Sequence, residues 1–142
     1  MHTPLATTAS ASSQAIVTVT VEAWRAMAVQ HDFGQAAALL HPDAVLHSPL
    51  DHQIVPGGLQ VAGILGMAFS LYSRFSYGEP LWRHGGLQVA LPFEGQMGAH
   101  TARGVDLLTL DSQGRVTAVE IFLRPLAVVA YLAERVAQAQ TA

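Results

Sequence analysis

Between Glu79 and Leu123 the chain runs in apolar-rich segments broken by turn residues, and this β-meander limits the possible folds more than any other feature. Glu79 to His84 and Leu87 to Phe93 flank Gly85-Gly86, a two-residue hairpin signal. Phe93-Glu94-Gly95-Gln96 reads as the next turn, leading into a long strand from Met97 to Leu110. Asp111-Ser112-Gln113-Gly114 then reverses the chain into Val116 to Leu123, and Pro125 blocks further sheet pairing.

Upstream the pattern is mostly helical. Ile16 to Val21 is β-branched and favours strand by propensity, but Val17, Val21, Trp24 and Ala28 recur at three and four, and this spacing predicts a helix from Ala15 to His31. A short helix, Gln35 to Leu40, stops before Pro42. A short strand, Ala44 to Ser48, and a loop, Asp51 to Gly58, precede a helix from Leu59 to Tyr72 with Leu65, Phe69 and Tyr72 on its apolar stripe. Leu126 to Gln138 closes the chain as a helix. Residues 1–13 and 139–142 read as tails, leaving one domain over 14–138. Helices first and a meander after them predict an α+β fold.

Composition narrows the chemistry. There is no cysteine, and all seven basic residues are arginine, which excludes thiol nucleophiles, thiolate metal sites, Schiff-base lysines and Walker-type phosphate loops. Charged residues make up 12% of the chain, about half the ~25% usual for soluble domains. The net charge of −3 provides no basic stripe, so nucleic acid is not an expected partner. The longest uncharged stretch, His52 to Ser73, is too rich in Pro, Gly and Gln for a membrane span, and a cytoplasmic location is expected. The apolar surplus, 51% of residues, must therefore go into a core, a lined cavity or a subunit interface.

Three segments carry a likeness to a known family. They are Leu40-His41-Pro42-Asp43-Ala44-Val45-Leu46-His47-Ser48-Pro49, then Gly104 to Asp111 leading to Gly114-Arg115-Val116, and Phe122-Leu123-Arg124-Pro125-Leu126. Together with the element order they resemble the nuclear transport factor 2-like superfamily, which includes ketosteroid isomerase, limonene epoxide hydrolase and SnoaL-like cyclases. The likeness spans about residues 15 to 136. It implies a cone in which a strongly curved, mainly antiparallel sheet wraps the first helices around an apolar pocket. It also implies a homodimer through the outer sheet face. Val119, Ile121 and Leu123 would then face the pocket, and Ala118, Glu120 and Phe122 the partner.

Asp106 is the most informative polar residue, placed mid-strand on a face shared with Leu108 and Leu110. The resemblance sets it where ketosteroid isomerase-like sequences keep an oxyanion-hole aspartic acid, a carboxyl held neutral by its apolar surroundings. The plain alternative is a structural Asp satisfied by a neighbouring Tyr, Trp or Arg. Ser48 stands where that family keeps its general base, and Trp24 where it keeps a donor Tyr; Ser48 cannot act as a base near neutral pH. The epoxide hydrolase pattern is also broken, since Ile121 occupies the place of one carboxylate and no Arg-x-Asp lies in Leu87 to Phe93.

His47 and His100 remain as candidate bases beside Asp106. Strict alternation points His47 away from the pocket, and His100 lies six residues, about 20 Å, from Asp106 along the strand. The expected pocket wall is Trp24, Ser48, Leu65, Phe69, Tyr72, Leu108, Val119, Ile121 and Leu123. His41, Asp43, His47, Asp51 and His52 crowd together but match no zinc spacing, so neither a metal nor any other cofactor is expected. The functional expectation is a small apolar molecule held near Asp106, with proton transfer on a carbonyl compound as the enzymatic version. The alternatives are a pocket without chemistry, or an interaction module using the outer sheet.

Overall fold

The computed structural model describes residues 3–83 and 86–141. Helix α1 covers Thr3–Gln30, a 3₁₀ turn covers Phe33–Gln35, and α2 covers Ala36–Leu39. Strands β1 (Leu40–His47) and β2 (Ile54–Pro56) lead to α3 (Gly58–Ser70), followed by β3 (Tyr72–Tyr77), β4 (Leu81–Trp82), β5 (Gln88–Met97), β6 (His100–Leu110) and β7 (Val116–Arg124), and by α4 (Leu126–Thr141). Helical backbone in α1 thus reaches through the Ala/Thr/Ser stretch read as a tail, and α4 likewise extends past Gln138. The architecture is α+β, as the sequence implies.

The seven strands form one curved mixed sheet in the order β2-β1-β7-β6-β5-β3, with β4 also on β5. The β1–β7 pairing is parallel and the remaining pairings are antiparallel. In α1 the periodicity prevails over the β-branched run, because Val17, Val21, Trp24 and Ala28 bury on one face. Burying a large apolar side chain contributes ~1.5–3 kcal/mol, more than the few tenths per residue that propensity can oppose.

The meander differs from expectation at three places. The run Phe93-Glu94-Gly95-Gln96 is not a turn: β5 continues through it to Met97, pairing with Gly104, Arg103, Ala102 and Thr101. Gly95 is small because a Cβ there would lie 2.6 Å from the Arg74 carbonyl and 2.7 Å from the Tyr72 ring. The reversal instead falls at Gly98, in the left-handed region with φ 59°. Of the strand expected over Glu79 to His84, the described part is strand only at Leu81–Trp82; His84 and Gly85 of the expected hairpin lie outside the described residues. Third, Tyr72–Tyr77 forms a strand, β3. Its pairing with β5 carries a bulge between Tyr72 and Arg74, so Tyr72 shares a face with Phe75 and Tyr77.

Two apolar clusters fill the interior. The larger gathers Val17, Val21 and Trp24 of α1 with Leu46, Leu91, Leu108, Val116 and Val119 of the sheet and Val61, Leu65 and Phe69 of α3. Thr20 of α1 hydrogen-bonds the Gly114 carbonyl, which ties the helix to the β6–β7 turn. The second cluster packs Val128 and Leu132 of α4 onto Met97 and Ala102, at the opposite end of β6. The space between these two ends positions the site.

Candidate functional site

Asp106 points inward from the middle of β6, opposite Leu91 on β5 and Ile121 on β7. Tyr77, at the end of β3, donates its hydroxyl proton to Asp106 Oδ2 at 2.6 Å. Trp24 of α1 donates its indole N–H to the Tyr77 oxygen at 3.0 Å. Three elements far apart in sequence therefore meet in one polar chain, Trp24 to Tyr77 to Asp106. Because an indole N–H can only donate, its bond to Tyr77 sets the polarity of the whole chain.

Burial pushes the Asp106 carboxyl up to about 6, partly offset by the Tyr77 hydrogen bond. Burial also drives the Tyr77 hydroxyl well above its ordinary range, with the Asp106 charge adding to it, so Tyr77 stays protonated as a fixed donor. The Tyr72 hydroxyl is raised for the same two reasons in the same order. Among the described residues the Asp106 carboxyl has one hydrogen-bond partner, and no side-chain polar atom without a partner is fully buried. Asp106 Oδ1 therefore opens onto the adjoining cavity.

That cavity has a volume of ≈ 420 Å³, within the ~300–1,000 Å³ of ligand pockets. Asp106 belongs to its wall, together with seven of the residues expected there: Trp24, Ser48, Leu65, Phe69, Tyr72, Ile121 and Leu123. Ser48 Oγ accepts the Leu50 N–H at 3.1 Å. Leu132, Val136 and Ala139 of α4 border the cavity, as do Asp51 and Gln53 of the loop after β1.

Leu108 and Val119 are corrections to the expected wall. Both are fully buried, but they pack in the larger core cluster and do not line the cavity. Alternation gives the correct face of each strand, but they sit at the end that α1 fills. His47 does not line the cavity either: Leu46 is the inward residue of β1, and His47 pairs with Ile54 and Glu120. His100 shares the Asp106 face but lies at the far end of β6, where its ring packs 6.0 Å from that of Tyr131 on α4. No base from either histidine reaches this cavity wall.

Among the wall residues that escape the sequence reading, three are aromatic residues of the sheet. Tyr77, Phe75 and Phe93 form an aromatic floor, with Phe75 stacked on Phe93 at 5.0 Å and edge-on to Tyr77 at 4.9 Å. The alternation Phe75-Ser76-Tyr77 is the signal that could have revealed β3. Asp51 is the other carboxylate of the wall; it is exposed, and its Oδ1 accepts the Gln53 N–H at 2.9 Å. Among the described residues no group of His, Asp and Glu is arranged to hold a metal ion, and no helix is long and apolar enough to cross a membrane.

The chain matches no family model and no curated protein sequence. Solved structures do match. A steroid delta-isomerase from Pseudomonas aeruginosa aligns with a TM-score of 0.85 and 28% identity, over 89% of this chain and 93% of that one. An uncharacterized protein with a cystatin-like fold, conserved in bacteria, from Silicibacter pomeroyi aligns with a TM-score of 0.76 and 28% identity, over 82% and 81%. An NTF-2 like protein of unknown function from Burkholderia xenovorans shares the fold at 12% identity, with a TM-score of 0.67 over 78% and 84%. Helix and strand order, the curved mixed sheet and these likenesses show that the chain has the nuclear transport factor 2-like fold.

Proposed function

We propose that this protein binds a small, rigid, apolar carbonyl compound in the cavity, with the carbonyl oxygen at Asp106. The observation that carries this reading is the Oδ1 atom of Asp106, which faces an apolar cavity while Tyr77 and Trp24 hold the rest of the carboxyl in place. A neutral Asp106 donates Oδ1–H to a ketone, and its position near 6 makes that proton available at little cost near neutral pH. A bound ligand excludes more water and strengthens that preference. The likeness to a steroid delta-isomerase supports the same ligand class. The described cavity wall has no histidine and only Asp51 as a second carboxylate. Binding with Asp106 as anchor is therefore the function the geometry supports best.

Calorimetric titration with 2-tetralone as probe tests this. Wild-type affinity should weaken about tenfold per pH unit above pH 6, because the bound state holds a proton that the free carboxylate has lost. Asp106→Asn donates an N–H at every pH, so its affinity should be flat. Asp106→Leu should abolish binding. Equal affinity in all three proteins removes Asp106 from the functional account.

A further inference from the structure

Gly63 and Gly66 lie three residues apart on α3, inside a helix where glycine costs ~1 kcal/mol relative to alanine. Close packing is the usual compensation, and Gly58 on the same helix shows it: a Cβ there would meet the His41 carbonyl at 2.5 Å. At Gly63 and Gly66 a Cβ would meet nothing within 4 Å. Both glycines face open space.

That space belongs to an open cleft of ≈ 450 Å³, whose wall includes the exposed residues His31, Asp32, Gly34, Gly63 and Ser70. Five residues, Phe33, Gly63, Met67, Phe69 and Tyr72, belong to its wall and to the wall of the Asp106 cavity. The two are neighbouring chambers. The touching rings of Phe33 and Phe69, with centroids 4.4 Å apart, form part of the partition, and at Gly63 the partition has no side chain. Gly66 belongs to the side chamber and not to the main one.

The side chamber has a different lining. His31, Asp32 and Ser70 belong to it and not to the main cavity. Ser70 Oγ is committed to the Met67 carbonyl at 2.5 Å. The Asp32 carboxylate accepts from the Gly34 N–H and the Gln35 side-chain amide at 3.1 and 3.3 Å, neither of which cancels its charge. Asp32 thus sets one uncompensated negative charge in a wall that also holds Phe33, Phe69, Tyr72 and His31, whose ring lies 5.5 Å from that of Phe69, and such a charge favours a cation.

We infer that the binding site has two chambers: the apolar body of the ligand lies in the Asp106 cavity, and a flexible ammonium-bearing tail crosses the Gly63 notch into the side chamber beside Asp32. This rests on the Asp106 cavity being the ligand site. Calorimetry with 2-tetralone and three derivatives tests it, the ring carrying an aminobutyl, hydroxybutyl or carboxypropyl chain remote from the ketone.

The aminobutyl compound should bind wild type at least tenfold more tightly than 2-tetralone, and the carboxypropyl compound no more tightly. Gly66→Leu, which fills the side chamber alone, should remove that gain and leave 2-tetralone affinity unchanged. Asp32→Asn, which keeps the turn-capping oxygen, should equalise the aminobutyl and hydroxybutyl compounds. A gain that survives Gly66→Leu, or no gain at all, overturns the inference. If 2-tetralone itself fails to bind wild type, the main-cavity reading falls, and butylamine alone decides the side chamber. A shift of the Gly66 amide resonance with butylamine that Asp32→Asn abolishes sustains the chamber, and the absence of any shift overturns it.

Discussion

Replacing Asp106 with Asn should stabilise the protein at neutral pH, and the size of the effect follows from where the carboxyl sits. Asp106 is 8% exposed, and burial raises it from the ordinary 3.8 to about 6. The unfolded chain releases this proton near pH 4 and the folded chain near pH 6. Between those values the native state holds the extra proton, so stability falls as pH rises. The displacement corresponds to ~3 kcal/mol, fully lost above about pH 7 and regained below about pH 4. Asn keeps an acceptor for Tyr77 and has no proton to lose. Urea denaturation of both proteins between pH 4 and 8 should give a stability difference that grows by up to ~3 kcal/mol in favour of Asp106→Asn across that range. Other carboxylates cancel in the difference, including Asp111, which the Arg115 backbone N–H holds below its ordinary range. A difference that stays constant with pH would refute the reasoning, because it would mean that the carboxylate is solvated in the folded protein.

Two further perturbations test the surroundings of that carboxyl. Tyr77→Phe removes the acceptor of the fully buried Trp24 N–H and should cost ~1–3 kcal/mol in denaturant unfolding. It also deletes the bond that lowers Asp106, so the carboxyl should titrate above 6 when followed by carbon-13 NMR. Gly95→Ala should cost ~1–3 kcal/mol in urea, since its Cβ meets the unyielding Arg74 carbonyl, and should displace the Tyr72 ring from the cavity wall, read as loss of probe affinity.

The fold was legible because its strongest signals were redundant. The spacing of Val17, Val21, Trp24 and Ala28 agrees with the helix-forming run that follows, and Asp111 to Gly114 is turn chemistry that nothing contradicts. Asp106, Ile121 and Leu123 could be placed because alternation assigns a face and the family resemblance says which face turns inward. What alternation does not assign is depth: Leu108 and Val119 share that face but lie where α1 fills the interior. The partner of Asp106 was hidden for a related reason. Tyr77 sits on a strand whose Tyr72–Tyr77 sequence breaks strict alternation at its bulge, and the donor comes from 29 residues upstream. Gly95 misled because glycine signals a turn and a close contact equally well; the neighbours that decide are Arg74 and Tyr72, 21 and 23 positions away.

The irregularity between Tyr72 and Arg74 has a consequence for how such a protein can change. With a regular strand, Tyr72 would turn outward and the cavity would lose a hydroxyl without any substitution. Gaining or losing one residue at that spot exchanges what the interior offers a visitor while β6 and β7 stay as they are. Lineages sharing this architecture can therefore diverge in what they hold by altering spacing along one short edge strand, before any inward-facing side chain is replaced.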